Sequence, residues 1–480
     1  MHFINKFIFR NSHILSALIV LTLAGCLVGP DFEPPVMETP EVYRFSDEEL
    51  DEVVNLKWWE LFHDPVIKVL VDTALEENKD ILIAIARIEE ARAVLGFTGA
   101  DIYPTIDING AAAGGTLFNN QSFDDSLKAA SIAPVVNWEI DFWGKFRRAT
   151  ESARADLIAT EYGARSVQIS LISEVVGTYF LLLDFHQRLE VSKDTLESRT
   201  KSLDIIQKRF DRGIIGELDL NQAQVQREIA ATAIPANERS LASTENALSI
   251  LLGGFPTGIE IGKDLYSQTI PPEIPVGLPS RLLERRPDIL QAMYLLQAQN
   301  AQIGVAEALR LPAFSLSAGA GAAVTDIGSM TTSGFVWSIG AGFFWPIFNF
   351  GKNKARVQIE EARTVQVRLQ YENIVLNAVR EVSDSLNEIE TYKIQLQALD
   401  KQTKAARNAN YISNLRYDKG ITSFLEVLET ERQLFNVELK LSKTTQEYYN
   451  SYVRLYKALG GGWISEDAMD TYETSENISQ

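Results

Sequence analysis

The single cysteine of this 480-residue chain, Cys26, lies where a lipid could be attached to it. It directly follows the small residues Ala24 and Gly25, which end the apolar run 14–23, and Arg10 supplies positive charge further upstream. This order resembles a bacterial lipoprotein signal, in which the cysteine becomes the new N-terminus and carries acyl chains on its sulfur and amine. An apolar run of about ten residues is too short for a transmembrane helix, which needs ~20, so a cleaved signal is predicted.

We therefore predict that residues 1–25 are removed and that Cys26 is the lipidation site, with palmitate-type chains as a membrane anchor. More than one acyl chain is needed for stable attachment. The alternative is a plain secretory signal whose cleavage site adjoins the cysteine. Leu27 follows Cys26. An Asp there would resemble the retention signal of inner-membrane lipoproteins, so its absence favours the outer membrane.

Few other residues form a pattern that is typical of catalysis or metal binding. One cysteine and four histidines provide no cluster for a structural zinc, and structural roles are expected for the isolated His63 and His186. We find no glycine-rich phosphate loop, no paired-histidine metal motif and no nucleophile elbow. The net charge of −19 argues against nucleic acid as a partner. A non-enzymatic protein without a cofactor other than the lipid is predicted.

The chain is predicted to contain two copies of one unit of roughly 207 residues. Residues 80–82 reappear as 288–290, and residues 209–213 reappear in similar form as 416–420. Further landmarks recur in the same order at offsets of 207 or 208. The predicted segments are the signal peptide (1–25), an N-terminal extended or equatorial segment (26–64), repeat 1 (65–253), a linker or equatorial segment (254–286), repeat 2 (287–460) and a C-terminal tail (461–480).

Long helices are predicted in both copies. Each copy should begin with an amphipathic helix, near 65–99 and near 287–309, followed by two strands and a very long helical stretch broken once. Apolar residues recur every seven positions in the first of these stretches, at Leu182, Leu189, Leu196, Leu203 and Phe210. This spacing is typical of coiled coils. A helix over about 145–208 would be ~95 Å long.

Four segments alternate in the manner of membrane-crossing strands: 105–112, 131–142, 313–323 and 335–345. In the last segment one face carries Phe335, Trp337, Ile339 and Phe343, and the other carries Ser338, Gly340 and Gly342. Alternation with aromatic residues on one face is typical of strands that face lipid outward and water inward. We expect no 18-residue apolar run after the signal and therefore no transmembrane helix, so a membrane crossing would need these strands.

The number of strands determines how the protein could be assembled. Membrane barrels start at about eight strands, so four strands cannot close one. An open sheet edge in lipid leaves unpaired backbone groups that cost several kcal/mol each. Other copies of the chain must therefore complete the barrel. Two copies give eight strands around a filled interior, and three give twelve strands around an aqueous lumen; the strand pattern leaves both open.

Four groups of residues across the mature chain form recognisable motifs. They are Cys26-Leu27-Val28-Gly29-Pro30-Asp31-Phe32 with Pro35; Trp58-Trp59 with Phe62, Asp64 and Pro65; Asn78 and Asp80 with Ala84, Arg87 and Ala91; and Gly277-Leu278-Pro279-Ser280 leading into Leu282-Leu283 and Arg285-Arg286-Pro287-Asp288. Together, over about 27–463, they resemble the TolC-like outer-membrane efflux factors, in the lipoprotein (NodT-like) branch that serves multidrug pumps of the resistance–nodulation–division type.

This resemblance implies a mixed α and β membrane protein that works as a homotrimer. Its twelve strands, four per chain, would form one outer-membrane β-barrel that continues into a long periplasmic α-helical barrel with a closed tip. The resemblance also implies a passive duct in a Gram-negative outer membrane, joined by a periplasmic adaptor to an inner-membrane pump. The alternatives are the exit duct of a type I protein-secretion system and a purely structural coiled-coil envelope protein.

The resemblance places a gate at the turn between the two long helices of each copy. Carboxylates of constriction rings fall at Glu426 and Glu429, a tip acid at Asp219 and a gate-locking tyrosine at Tyr417. The position of a gate-locking arginine is Thr422, so that link is expected to be absent.

The tip also contains two turn glycines, and its acids have a second interpretation. Gly213 and Gly420 are expected to provide turn backbone that other residues resist, and both turns are candidate adaptor contacts. Rings of like charges raise each other's pKa and attract cations. However, Ser423-x-x-Glu426 also has the pattern of a capping box, and Asp219 lies at the matching place. For Glu426 and Asp219, the role of gate residue and the role of helix cap therefore both remain open here. For Glu429, the alternative to a constriction ring is a position on a solvated helix face.

Overall fold

The computed structural model describes residues 26–40, 42–43, 62–116, 126–269, 279–327 and 330–461. Three of the sequence predictions fall outside these described residues. They are the signal peptide over 1–25, the Trp58-Trp59 motif and nearly all of the tail over 461–480.

The described elements follow one order twice. The first copy contains α1 (Pro65–Glu77), α2 (Lys79–Ala100), β1 (Thr105–Thr116), β2 (Ser126–Ile140), α3 (Lys145–Asp211) and α4 (Glu217–Leu251). Two short 3₁₀ helices, Leu265–Ser267 and Pro279–Arg281, lead into α5 (Leu282–Arg285). The second copy contains α6 (Pro287–Ala308), β3 (Ala313–Ile327), β4 (Met330–Phe344), α7 (Lys352–Asp418) and α8 (Phe424–Ala458).

The two copies agree in the lengths of their helices. Both α2 and α6 have 22 residues, both α3 and α7 have 67, and both α4 and α8 have 35. A helix of 67 residues is about 100 Å long at 1.5 Å per residue. The prediction of two repeats with one break in each long helical stretch is therefore confirmed.

The first predicted helix differs from the observed structure, because it is divided in two at Asn78. The Asn78 side-chain oxygen accepts hydrogen bonds from the backbone N–H groups of Asp80 and Ile81, while its Nδ2 donates to the carbonyl of Leu251. This side chain therefore starts α2 and ties it to the end of α4. A capping contact to a residue 173 positions away cannot be detected from local apolar periodicity.

Helix α4 continues through Pro235, which lies in its interior. An interior proline removes one backbone hydrogen bond and usually kinks or breaks a helix. Here the helix nevertheless continues as one element of 35 residues.

The four strands form one antiparallel sheet in the order β1-β2-β3-β4. The strands have 12, 15, 15 and 15 residues, so they extend the predicted segments mainly toward the two hairpins. At the other end of each strand the chain joins a helix: α2 before β1, α3 after β2, α6 before β3 and α7 after β4. We call this the helix-bearing end of the sheet.

The chain divides into two compact units. Among the described residues, the sheet unit contains those up to Val36, those within Arg87–Glu161 and those within Gln291–Glu372, and the helical unit contains the others. The helical unit has a large apolar core in which Val175, Tyr179, Phe180 and Leu182 have no exposed surface. In this core the ring of Phe180 stacks on the ring of Tyr449 from α8, at 5.0 Å between centroids.

Among the described residues, one helix has to be compared with the prediction that no transmembrane helix follows the signal. Within the described residues, α3 is long enough and, in one 18-residue window, apolar enough to pass for a membrane span. Half of that window is buried inside the protein. The apolar residues that produce the match include the core residues Tyr179 and Phe180, so we interpret α3 as a core helix whose apolar side chains face other helices.

Candidate functional site

One face of the sheet is a continuous apolar surface. Strand register brings apolar residues opposite one another across all three pairings, including Ile106 with Val136, Trp138 with Leu316, Ile140 with Phe314, Ala318 with Ile339 and Phe314 with Phe343. Ile108 and Ile339 are 76% and 78% exposed in the single chain. Cross-strand partners share a face, so these residues form one exposed apolar surface. An exposed apolar surface of this kind is typical of a face that contacts membrane hydrocarbon.

The opposite face is small and polar. It carries Asp107, Asn109, Asn137, Glu139, Ser315, Ser317, Gly319, Ser338, Gly340 and Gly342, which alternate with the apolar residues along each strand. Space is limited beside two of the glycines, since a Cβ added to Gly340 would lie 2.9 Å from Ser317 Oγ and one on Gly342 would lie 3.2 Å from Ser315 Oγ. A wall of short polar side chains is suited to face an aqueous lumen.

The two edges of the sheet are unpaired. Within the described residues β1 pairs only with β2, and β4 pairs only with β3. Each edge strand therefore presents a row of N–H and C=O groups without strand partners. In hydrocarbon such groups must be paired, so this sheet needs strands from other chains beside both β1 and β4.

Polar anchors and aromatic rings gather at the helix-bearing end of the sheet. Trp138 Nε1 donates to the carbonyl of Ile102 at 2.9 Å, and Trp143 Nε1 donates to the carbonyl of Pro312 at 2.8 Å. Lys145 Nζ lies 2.5 Å from a carboxylate oxygen of Glu139. Tryptophan at this level is typical of a membrane interface, where an apolar ring and a polar N–H are both accommodated.

The turns that join the long helices have the same backbone geometry in both copies. Gly213 and Gly420 have φ of +71° and +69°, which favours glycine. Gly213 N–H donates to the carbonyl of Phe210 and Gly420 N–H to that of Tyr417, at 2.8 and 3.0 Å. The following N–H groups reach one residue further back, which is the hydrogen-bond pattern of a Schellman motif.

Tyr417 lies between the two turns of one chain. The Arg209 guanidinium from α3 lies 4.5 Å from the Tyr417 ring centroid, and Arg209 Nη2 lies 3.4 Å from Asp418 Oδ1. The Tyr417 ring also contacts Phe424 at 5.3 Å between centroids. Phe424 belongs to a small apolar cluster that packs the two turns together. The other members of this cluster are Ile206, Leu220, Ala223, Val427 and Leu428.

The three predicted tip carboxylates have different surroundings. Thr422 Oγ1 donates to Glu426 Oε2, and Arg416 Nε lies 3.6 Å from the other oxygen of Glu426. The Ser423 side chain makes no capping hydrogen bond. The capping-box interpretation of Ser423 with Glu426 is therefore wrong, because the Glu426 carboxylate is bound by Thr422 instead of closing the helix terminus.

Glu429 is engaged within its own helix, and Asp219 caps nothing with its side chain. Hydrogen bonds from Gln433 and Arg432 hold the pKa of the Glu429 carboxyl below its usual value. Asp219 is half-buried, and its backbone N–H donates to the carbonyl of Gly216 at the start of α4. The N-cap of α4 is Gly216, which has no side chain for capping.

A buried polar layer lies below the tip and has no local signal in the sequence. Arg199 of α3 is 2% exposed, and Arg199 Nη1 donates to the carbonyl of Gln226 at 2.6 Å. Arg199 Nε lies 3.9 Å from Glu431 Oε2 on α8. Burial lowers the pKa of Arg199 and raises that of Glu431. The layer links α3 to α4 by a hydrogen bond and α3 to α8 by opposite charges, and no short-range sequence pattern identifies such links.

The motifs of the sequence resemblance hold the helical unit together. Asp64 is 2% exposed, and its carboxylate accepts hydrogen bonds from Tyr179 Oη and Gln268 Nε2 at 3.1 and 2.8 Å. Arg286 is 5% exposed and donates to Asp288, to Glu381 and to the carbonyl at the end of α8. Burial alone would lower the pKa of Arg286, but the two carboxylates more than offset it and raise this pKa.

Comparison with known proteins identifies the family. The profile of the family described as Outer membrane efflux protein matches residues 70–254 and 278–461, one match for each repeat. The chain belongs to the outer membrane efflux protein family. As an outer-membrane efflux protein it is a transporter and no enzyme. The predicted family, the predicted outer-membrane location and the prediction of a non-enzymatic protein are therefore confirmed. Among the described residues, no group of His, Cys, Asp or Glu is suited to hold a metal ion.

Individual members of the family are similar to this efflux protein over nearly their full length. The toluene efflux pump outer membrane protein TtgI of Pseudomonas putida is 35% identical over 467 residues, which cover 94% of this chain and 98% of that protein. The cation efflux system protein CusC of Escherichia coli O6:H1 is 32% identical over 458 residues, with the same coverage. The solved outer-membrane channel OprN has a TM-score of 0.83 at 29% identity and covers 91% of this chain and 100% of its own.

Proposed function

We propose that this protein is the outer-membrane exit duct of a tripartite efflux system. Three copies form one barrel of twelve strands, and the helical units form the periplasmic part of the duct. The carrying observation is the sheet of four strands with an apolar face and two unpaired edges. Twelve strands leave room for an aqueous lumen, whereas eight are filled by side chains, and a lumen is what the small polar face is suited to line.

The duct is proposed to be passive, with substrate choice made elsewhere. TtgI is named for toluene efflux and CusC for cation efflux, yet the chain is similarly related to both. An apolar solvent and a cation share no recognition chemistry, so a common wall of short polar residues would conduct rather than select. An inner-membrane pump of the resistance–nodulation–division type would supply the energy, and a periplasmic adaptor would contact the turns at Gly213 and Gly420.

Conductance and phenotype test the proposal together. The purified assembly in a planar bilayer should show stable ion conductance, and deletion of the gene should make cells hypersensitive to small toxic compounds. Loss of a secreted protein without hypersensitivity would favour the type I secretion duct instead. Absence of conductance would leave a structural envelope protein.

The acids at the tip are proposed to attract cations at the narrow end of the duct. In a trimer, threefold symmetry repeats each carboxylate around the axis. We expect the double variant Glu426→Gln with Glu429→Gln to weaken block by a multivalent cation about tenfold or more, since ~1.4 kcal/mol of lost attraction already has that effect. The measurement is the concentration of hexaamminecobalt that halves single-channel conductance.

A matched pair of acids away from the turns controls for total charge. Glu228 and Glu238 are exposed residues on α4 beyond the first turn, and the double variant Glu228→Gln with Glu238→Gln should leave the block unchanged. Equal block in the double variant and the wild type would remove Glu426 and Glu429 from any constriction ring.

Lipid on Cys26 is proposed as the anchor of the mature chain. Cys26 is exposed, so it is accessible to modification. Cys26→Ala, placed behind a plain secretory signal, should lose incorporation of labelled palmitate and still yield assembled trimer at steady state, because the strands insert independently. A complete lack of assembled trimer would contradict independent insertion.

A further inference from the structure

The residues directly after Cys26 are held against the sheet unit as a strap, which we define as residues 27–31. Val28 N–H donates to the carbonyl of Trp143 at 3.2 Å, just before α3 begins. Asn300 Nδ2 of α6 donates to the carbonyl of Pro30 at 3.1 Å. The strap therefore contacts both repeats within the sheet unit.

Arg148 in the first turn of α3 binds this strap through hydrogen bonds. Its side chain is only 2% exposed, although arginine is rarely buried unless it is paired. Arg148 Nε donates to the carbonyl of Val28 at 3.1 Å, and Nη2 donates to the carbonyl of Gly29 at 3.3 Å and to Asp31 Oδ1 at 2.8 Å. The remaining nitrogen, Nη1, donates to Glu151 Oε2 at 2.8 Å. Three of the four hydrogen bonds of the guanidinium are thus made to the strap.

Glycines allow the strap to lie this close. Gly29 has φ of +94°, and a Cβ added to it would lie 2.4 Å from the Cα of Gly304 on α6. A Cβ added to Gly304 would lie 2.7 Å from the Val28 carbonyl oxygen and 2.8 Å from Arg148 Cγ. One added to Gly144 would lie 2.4 Å from Leu27 Cδ1. The backbone of the strap therefore lies directly against the backbone at Gly144 and Gly304, with no room for a side chain between them.

The position of the strap along the sheet determines where a lipid on Cys26 would lie. Trp143 donates to the carbonyl of Pro312, directly before β3, so the strap lies at the helix-bearing end. Cys26 is two residues from Val28, and two residues span at most about 7 Å. Any group attached to Cys26 is therefore held near the helix-bearing end of the sheet, within two residues of the first hydrogen bond of the strap.

We infer that Arg148 is a positioning residue that fixes the lipidated N-terminus at the helix-bearing rim of the sheet, and so couples the lipid anchor to strand insertion. The inference rests on the proposed lipidation of Cys26. A lipid on a loose tail would only raise the local concentration of the chain at the membrane. A lipid held on a fixed strap also sets the depth and orientation of the sheet, so it speeds the insertion step itself.

A double-mutant cycle in cells tests the coupling. The full-length chain is followed by pulse-chase labelling, and the measured quantity is the half-time for appearance of the heat-resistant oligomer. The four chains are the wild type, Arg148→Met, Cys26→Ala behind a plain secretory signal, and the combination. We expect each single change to lengthen the half-time several-fold and the combination to lengthen it no further than Cys26→Ala alone, because Arg148 has nothing left to position once the lipid is absent. Half-times that multiply in the combination would overturn the inference, because a purely structural arginine acts independently of the lipid.

Further variants guard against general misfolding. Arg154→Met removes an exposed arginine from the same helix and should not change the half-time. Gly304→Ala displaces the strap while Arg148 is kept, and it should behave like Arg148→Met in the same cycle; Gly96→Ala, in open space on α2, is its matched control. If Arg148→Met gives no oligomer in either background, the Gly304→Ala cycle decides between coupling and additivity.

Palmitate incorporation separates this inference from the proposal on which it rests. A wild-type chain that incorporates no palmitate would overturn both the anchor and the coupling. A lipidated wild type with an additive cycle would overturn the coupling alone.

Discussion

Replacement of Leu196 by proline should abolish the assembled protein and reduce tolerance of toxic compounds to the level of a deletion strain. Leu196 lies in the interior of α3, where proline removes the hydrogen bond to the carbonyl of Ser192 and its ring clashes with that carbonyl. The local cost is about 3 kcal/mol or more. The larger effect is geometric, because a kink at this point displaces Arg199 from its layer and Ile206 from the cluster that holds the turns.

Leu196→Ala is the matched control for this prediction. It removes the same apolar side chain but leaves the helix backbone intact, so assembly should be retained with some loss of stability. The readouts are the amount of heat-resistant oligomer and growth in the presence of the compounds. Normal tolerance in the proline variant would contradict an unbroken helix of 67 residues.

Ile339→Arg should prevent insertion into the outer membrane. Ile339 is 78% exposed in the single chain and lies on the apolar face of β4. Arginine on the lipid face of a membrane barrel costs about 2–4 kcal/mol near the bilayer midplane. A trimer contains the substitution three times, so the assembled state should be depleted strongly. The measurement is the fraction of the protein that fractionates as folded oligomer with the outer membrane.

The neighbouring position provides a control of the same chemistry. Ser338 lies on the opposite face of the same strand, where Ser338→Arg would point into water. This variant should insert normally and change the ion selectivity of the channel, because it adds positive charge to a wall that contains Asp107 and Glu139. Equal loss of insertion in both variants would show that the two faces do not differ in their environment.

The strands and long helices could be predicted because their signals are local and periodic. Alternation of period two in 335–345 depends only on neighbouring residues, and the observed β4 carries the predicted residues on the predicted faces. The seven-residue spacing likewise indicates α3, which is predicted over about 145–208 and observed over Lys145–Asp211. The repeat then extended the same prediction to the second copy.

The contacts at the tip and at the strap could not be predicted in this way. Arg209 meets Asp418 across 209 positions, and Arg148 meets Asp31 across 117. These pairs form because segments that are distant in the sequence meet in the fold, which no short-range spacing encodes. Ser423 and Glu426 show the opposite case: the local pattern allows a capping box, but in the fold the Glu426 carboxylate accepts a hydrogen bond from Thr422.

Native mass spectrometry of the complex extracted from the outer membrane, on material whose bilayer conductance has been recorded, tests the central claim most directly. The claim is that four strands per chain are completed by other copies around a shared lumen. We predict a conducting species with the mass of three mature chains. A conducting species with the mass of one chain, folded and inserted in lipid, would contradict the account.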